Sequence, residues 1–180
     1  MTDPNPRSLI IYLASARRGG NAEALARRAT EGLAVPCQWV DLAALSLPAF
    51  HDPRPLPQPR PTGALAALAA QMQGVSDLVF AVPIYWYALP GPAKTFLDHW
   101  SGYLDTPGLN FADWIKTKRL WLITARADPD PMVAAPIEMA MQRTAHWLGM
   151  RWGGALHGVG DAPGDIRACE TWERAPDFLL

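Results

Sequence analysis

Apolar residues fall along the chain in two alternating patterns. Ser8-Leu9-Ile10-Ile11-Tyr12-Leu13-Ala14 is a continuous apolar run rather than an every-other-residue one. Such a run suits a strand covered on both faces, as in a parallel sheet. After the polar stretch Ser15 to Gly20, the segment Ala22 to Leu33 places Ala22, Leu25, Ala26, Ala29 and Leu33 at helical spacing. Arg27, Arg28 and Glu31 fall on its other side. Asn21 reads as the N-cap of this helix, since a short amide side chain satisfies free first-turn N–H groups.

The strand–helix alternation then repeats. Cys37 to Leu42 reads as a second strand, Gly63 to Gln73 as an alanine-rich helix, and Asp77 to Val82 as a third strand. Pro92 to Leu104 is a helix with its proline early, where a missing N–H costs nothing, and with Phe96, Leu97, Trp100 and Leu104 on one face. Arg119 to Ala125 is a fourth strand, Val133 to Leu148 a fourth helix and Trp152 to Val159 a fifth strand. A short last helix is expected near Ile166 to Trp172. The pattern predicts one α/β domain over residues 1–180, with a five-stranded parallel sheet between helical layers. Residues 47–62 hold six prolines and are expected to form an extended surface loop within that domain.

In an open sheet of this kind the expected strand order is 2-1-3-4-5. Ligands then bind beyond the carboxyl ends of the strands, where the order reverses between the first and third. The loops to inspect are Ser15 to Asn21, Pro83 to Pro90, and Thr124 to Pro131. The first carries a hydroxyl, two arginines, two glycines and an amide at the start of a helix. Free N–H groups and the helix dipole favour an anion there, and Arg17 adds a bidentate donor. A phosphate monoester would fit; a solvated glycine-rich loop with surface arginines is the other reading of the loop alone. The second loop strings Tyr85, Trp86 and Tyr87 together after a core strand. A planar ring could lie against it, or its aromatics could belong to the core or an oligomer contact.

Composition narrows the classes. With 180 residues and 49% hydrophobic content, roughly 70% of the unfolded surface can be buried, which excludes wholesale disorder. A formal net charge of -1 leaves no basic field for nucleic acid. Cys37 and Cys169 have no metal-ligand spacing, so no metal site is expected. Met1-Thr2-Asp3-Pro4 does not read as a signal peptide. The most apolar stretch, Leu78 to Ala93, is broken by Pro83, Pro90 and Pro92 and is too short to span a bilayer. A cytoplasmic protein without a membrane partner is expected. Motifs for a nucleophile elbow, a Walker-type phosphate loop and a zinc protease are absent. The segment Gly158 to Gly164 reads as a turn, and His51, His99, His146 and His157 read as structural.

At the first two loops the sequence resembles the NAD(P)H-dependent FMN reductases of the flavodoxin-like fold. Ser15-Ala16-Arg17-Arg18-Gly19-Gly20-Asn21-Ala22 matches that family's phosphate-loop pattern. Asp77 before an apolar strand ending in Pro83-Ile84-Tyr85-Trp86 matches its second feature, and Lys94-Thr95-Phe96-Leu97-Asp98 its following helix. The resemblance covers about residues 8 to 160. It implies a flavodoxin-like three-layer sandwich in which Ser15, Arg17 and Asn21, with Gly20 and Ala22 beside them, hold the FMN phosphate. Pro83, Ile84, Tyr85 and Trp86 would line the isoalloxazine ring, partly through backbone N–H groups. The loop from Thr124 to Arg126 would pass under its pyrimidine edge. Two positions depart from the pattern: Ala22 stands where a hydroxyl residue is usual, and Arg126 where glycines are common. Arg126 could obstruct the ring or pair with it.

The resemblance implies an FMN-dependent oxidoreductase passing electrons from NADPH or NADH to a small acceptor such as a quinone, azo compound or free flavin. The flavin carries the chemistry, so no catalytic side chain is assigned. A non-enzymatic FMN electron carrier is disfavoured by the near-zero net charge; a domain with lost FMN binding that serves as an assembly module is the remaining alternative. Eight tryptophans, with Trp100 and Trp147 on helices, could supply an aromatic face for a homodimer, dimers being usual in that family, or could each belong to ordinary core packing.

Overall fold

Five parallel strands form the sheet: β1 (Leu9–Leu13), β2 (Cys37–Asp41), β3 (Asp77–Pro83), β4 (Arg119–Arg126) and β5 (Arg151–Val159). Their spatial order is β2-β1-β3-β4-β5, the order expected above. The computed structural model describes residues 6–52, 54 and 60–180. Helices α1 (Asn21–Thr30) and α6 (Glu170–Phe178) cover one face. The other carries α2 (Gly63–Gln73), α3 (Gly91–Leu104), α4 (Phe111–Ile115) and α5 (Ala135–Trp147).

The continuous apolar runs supply both cores. Ile10, Tyr12, Leu78, Phe80, Leu120 and Leu122 face α2, α3 and α5, while Leu9, Ile11, Val79, Ala81 and Ile123 face α1 and α6. Alternate residues of one strand point to opposite faces, so a strand buried twice must be apolar throughout. Helix α1 lies close to the sheet because the residues it buries include Ala22, Ala26 and Ala29. In β5 the register shifts opposite Leu120 and Trp121. Gly153 is the extra residue of this bulge, and a Cβ there would lie 2.3 Å from the Trp121 ring.

Several boundaries differ from those expected. Asn21 is the first residue inside α1, and Gly20 is the N-cap. The helix read over Val133 to Leu148 starts with a 3-10 turn, Pro131–Val133, followed by α5; Pro136 fixes the new start. The last helix lies later than expected: a 3-10 turn spans Asp165–Ala168, and α6 runs through Pro176. Interior proline is costly, yet Ala175 and Leu179 are fully buried beneath the sheet, and that packing holds the helix together. Helix α4 had no periodic signature to reveal it.

Of the two readings of Trp100, the core one holds. It is 3% exposed and packs against Phe80, Phe96 and Phe111. Trp147 is 72% exposed and flanks a groove between α3 and α5 that Leu97 and Leu104 also line. The described part of the proline-rich loop rests on α3 through His99, whose Nε2 meets the Pro48 carbonyl at 2.9 Å. Pro53 and residues 55–59 lie outside the described residues. Among the described residues no helix is long and apolar enough to cross a membrane.

At the amino end of the sheet, Asp77 gathers several donors. Its carboxylate accepts the Trp121 indole N–H at 2.7 Å and the Ser76 hydroxyl at 2.6 Å. The guanidinium groups of Arg7 and Arg119 lie 3.5 and 3.9 Å away. Replacing Asp77 by Ala leaves the buried indole without an acceptor and two cations without a counter-charge. The variant should be less stable by about 3 kcal/mol in urea denaturation. A loss too small to measure would show that this cluster is not what fixes β3 to β4.

Candidate cofactor site

The cleft that the strand order predicts is present. Ser15, Arg17, Gly20, Asn21 and Ala22 line it from the β1–α1 turn, Pro83, Ile84 and Tyr85 from the end of β3, and Ala125, Arg126 and Ala127 from the end of β4. Gly160 and Asp161, after β5, complete it, and it encloses about 240 Å³. Every wall lies at the carboxyl end of a strand.

At the β1–α1 turn the helix begins uncapped. Gly20 has no side chain to offer, and among the described residues no side chain caps the helix. The first intrahelical bond runs from the Ala24 N–H to the Gly20 carbonyl. The N–H groups of Gly20, Asn21, Ala22 and Glu23 therefore find no acceptor among the described residues, as first-turn amides do when no cap is present. Neighbouring amides are engaged: the Arg17 N–H donates to Ser15 Oγ at 3.1 Å, and the Gly19 N–H to Glu23 Oε2 at 3.0 Å. Gly19 adopts φ +64, a conformation open to glycine at little cost. The Ser15 hydroxyl still has its hydrogen to give, and Arg17 has no carboxylate partner among the described residues.

Asn21 does something other than expected. Its Nδ2 donates to the carbonyls of Gly160 and Ala162 at 2.9 and 3.0 Å, and its Oδ1 accepts the Gly164 N–H at 2.9 Å. The side chain is fully used in tying α1 to the loop after β5, so it neither caps the helix nor has a donor left for a phosphate. Gly160 permits this contact, since a Cβ there would lie 2.9 Å from Asn21 Nδ2. Gly160 and Asp161 were missed as site residues because the segment reads as a plain turn. Its glycines, placed just past the fifth strand, were the available signal.

The ring loop is also corrected in part. The Ile84 N–H is spent on the Ala125 carbonyl at 3.0 Å, and the Tyr85 N–H on the Ala88 carbonyl at 3.3 Å. Trp86 does not line the cleft; it stands 92% exposed at the tip of a tight hairpin closed by reciprocal Tyr85 and Ala88 hydrogen bonds. Trp86 and Tyr87 both take left-handed backbone conformations, φ +52 and +64. For bulky residues that costs roughly 1–2 kcal/mol each.

Thr124 is turned away from the cleft as well. Its buried hydroxyl meets His157 Nδ1 at 2.7 Å, and His157 Nε2 meets Glu138 at 2.9 Å. Arg126 lies on the cleft wall but is only 8% exposed. Its Nε and Nη2 donate to the Asp128 and Pro129 carbonyls at 2.9 and 3.2 Å, folding the side chain onto its own loop.

These residues suit the phosphate of a flavin mononucleotide: unsatisfied first-turn amides, a free hydroxyl hydrogen and an unpaired guanidinium converge on one corner. Ala22 contributes its N–H but no hydroxyl. Comparison with known proteins points the same way. The profile of the NADPH-dependent FMN reductase family matches residues 6–115, which spans both diagnostic loops. The chain belongs to the NADPH-dependent FMN reductase family. FMN is this family's cofactor and a reduced nicotinamide its electron source, which makes the chain an oxidoreductase. Its sequence is 27% identical over 158 residues to YwqN of Bacillus subtilis (strain 168), provisionally named an NAD(P)H-dependent FMN-containing oxidoreductase, with 83% of each chain covered. The fold is shared with the Trp repressor binding protein from Bacillus subtilis, at TM-score 0.77 and 23% identity over 96% of this chain and 97% of the other. It is also shared with an FMN-dependent NADH-azoreductase from Bacillus anthracis str. Ames Ancestor in complex with FMN, at TM-score 0.66, 9% identity, and 94% and 96% coverage.

Beside this cleft a larger one, of about 630 Å³, runs along β5 and shares Arg126 as a wall. Cys169 lines it. Burial pushes this thiol up, but hydrogen bonds from Thr171 and the Val159 N–H, with Arg126 nearby, outweigh that and leave it lowered. Burial dominates at Cys37, whose thiol is raised. A lower pKa means more thiolate at a given pH. Iodoacetamide at pH 7 should therefore alkylate Cys169 ahead of Cys37, with the onset for Cys169 at lower pH. Equal rates in peptide mass analysis would contradict the assignment.

Proposed function

We propose that this chain is an FMN-dependent oxidoreductase that takes electrons from NADPH or NADH and delivers them to a small acceptor of the quinone, azo or free-flavin type. The uncapped start of α1 carries this reading. An uncompensated helix N-terminus flanked by Ser15 and Arg17 is an anion site, and it lies where this fold binds ligands. Ser15, Arg17 and the N–H groups of Gly20, Asn21, Ala22 and Glu23 would hold the phosphate. Pro83, Ile84 and Tyr85 on one side, and the Ala125–Ala127 backbone on the other, would receive the ring.

When bound, FMN would supply two-electron hydride-transfer chemistry. For a quinone acceptor the net reaction is NAD(P)H plus a proton plus quinone, giving NAD(P)+ and hydroquinone. The protein's part is to position and shield. Arg17 would neutralise the phosphate. The Asn21 contacts fix α1 at the height that presents its amides. The Ile84–Ala125 hydrogen bond joins the β3 and β4 ends into one wall. Arg126, held by the carbonyls of its own loop, keeps residues 125–127 in place at the cleft. No side chain is needed as a nucleophile. His157, with both ring nitrogens engaged, is assigned no role in the chemistry.

Arg17→Ala should weaken FMN binding about ten- to a hundredfold, the worth of a charged hydrogen bond, when titrated by flavin fluorescence quenching. Unchanged affinity would show that the phosphate sits elsewhere.

A further inference from the structure

A nicotinamide electron donor is a dinucleotide, and only its nicotinamide half takes part in hydride transfer. The cofactor cleft, at about 240 Å³, is filled by one nucleotide. The adenylate half of the donor must therefore lie on a surface that joins this cleft.

The cleft along β5 joins it directly, because Arg126 is a wall of both. Its volume of about 630 Å³ falls within the range of small-ligand sites, roughly 300–1,000 Å³. Arg126 stands opposite Val159 in the strand register, and the cleft follows β5 back to Ala155, about 13 Å at 3.3 Å per residue. At the junction Arg126 is buried, with Nε and Nη2 donating to carbonyls of its own loop. It has no carboxylate partner among the described residues, and its Nη1 is uncommitted. A buried cation without a counter-charge is costly, and an anion arriving at the junction offsets that cost.

The floor of the cleft is the open edge of the sheet, since no strand lies beyond β5 among the described residues. The Val159 N–H donates to Cys169 Sγ at 3.4 Å, and the His157 carbonyl accepts the Thr171 hydroxyl at 2.9 Å. Both bonds leave the sheet, which marks 155, 157 and 159 as the outward-facing residues of the strand. The Ala155 carbonyl and the His157 N–H, side by side on that edge, have no partner among the described residues. They form an acceptor beside a donor. Adenine presents the complement, an amino group next to a ring nitrogen that accepts. Phe178 supplies an apolar wall at this depth. Arg174, one helical turn earlier on the same face of α6, is exposed and pairs loosely with Glu170 at 3.8 Å.

We propose that the β5 cleft holds the adenosine phosphate half of NADPH or NADH, with Arg126 and Arg174 on its phosphates and the edge of β5 on its base. The inference rests on the FMN oxidoreductase reading above and adds the site that binds the electron donor. A free adenine nucleotide acting as an effector shares this chemistry, and the test separates the two.

Turnover with ferricyanide as acceptor compares wild type, Arg174→Ala and Arg174→Lys, using NADPH, NADH and reduced nicotinamide mononucleotide as donors. The mononucleotide lacks the adenylate half. In Arg174→Ala the KM for both dinucleotides should rise about tenfold with kcat unchanged, as when binding common to ground and transition states is lost. The KM for the mononucleotide should not move, and Arg174→Lys should recover most of the loss. ADP should inhibit competitively against NADH. Equilibrium dialysis with protein freed of FMN should show ADP binding that Arg174→Ala weakens about tenfold.

A rise confined to NADPH sustains the cleft and places Arg174 on the phosphate that NADH lacks. A KM that moves equally for dinucleotides and mononucleotide, or for none of them, overturns the proposal. So does ADP that binds without competing, which would assign the cleft to a separate effector. If wild type fails to take up FMN, the functional reading falls, and ADP dialysis decides the cleft by itself. Binding that Arg174→Ala weakens sustains the adenylate site, and equal binding or none overturns it.

Discussion

Hydrogen bonds between the Asn21 side chain and the loop after β5, two donated and one accepted, hold the candidate cofactor corner in shape. An asparagine at the start of a helix usually turns back to cap it. Here the side chain reaches sideways to Gly160, Ala162 and Gly164, and the cap position falls to a glycine. The consequence is electrostatic. Amides that a capping oxygen would have satisfied face the cleft unpaired, beside a guanidinium with no carboxylate partner among the described residues. Because the same side chain anchors α1 to the far edge of the sheet, the corner is rigid without being filled. A preorganised set of donors stabilises an incoming anion without first giving up bonds to protein.

Around this corner the fold distributes its costs unevenly. The amino end of the sheet is a stability region, where Asp77 sits among Trp121, Ser76, Arg7 and Arg119. The carboxyl end tolerates features that weaken a monomer: uncapped amides at α1, a buried Arg126 whose side chain bonds carbonyls of its own loop, and aromatic residues in a conformation that suits glycine. All of these lie on or beside one cleft, whose lining is polar at the α1 end and carries Pro83, Ile84 and Tyr85 at the other. That asymmetry suits a ligand with a phosphate at one end and a ring at the other.

The fold was largely legible in the sequence because strands buried on both faces must be apolar without interruption, and β1, β3 and β4 obey that. Helices with a strong apolar stripe were found close to their observed bounds. Those set by packing against the sheet were misplaced: α6 crosses Pro176 because Ala175 and Leu179 are buried under β5, a fact that no local pattern carries. Of the residues singled out by motif order, Ser15, Arg17, Gly20, Ala22, Pro83, Ile84 and Tyr85 line one cleft. Asn21 lines the cleft, but its side chain bonds the loop after β5 rather than capping the helix, since the choice between capping and a contact with residues far along the chain depends on where β5 ends. Thr124 was misjudged for a similar reason: its neighbour across the strand pair is His157, and that hydrogen bond turns the hydroxyl away. Trp86 was placed inside the cleft because the unusual turn that lifts it out has none of the small residues that ordinarily announce one.

The central claim is that the start of α1 is built for a phosphate, and the most direct measurement compares two ligands that differ only there. Dissociation constants of FMN and riboflavin, titrated side by side against the cofactor-free protein at moderate salt, isolate the phosphate's contribution. The account predicts FMN to bind about a hundredfold tighter, the equivalent of one or two charge-assisted hydrogen bonds, with the gap narrowing as salt rises. Equal affinity for the two ligands would contradict it.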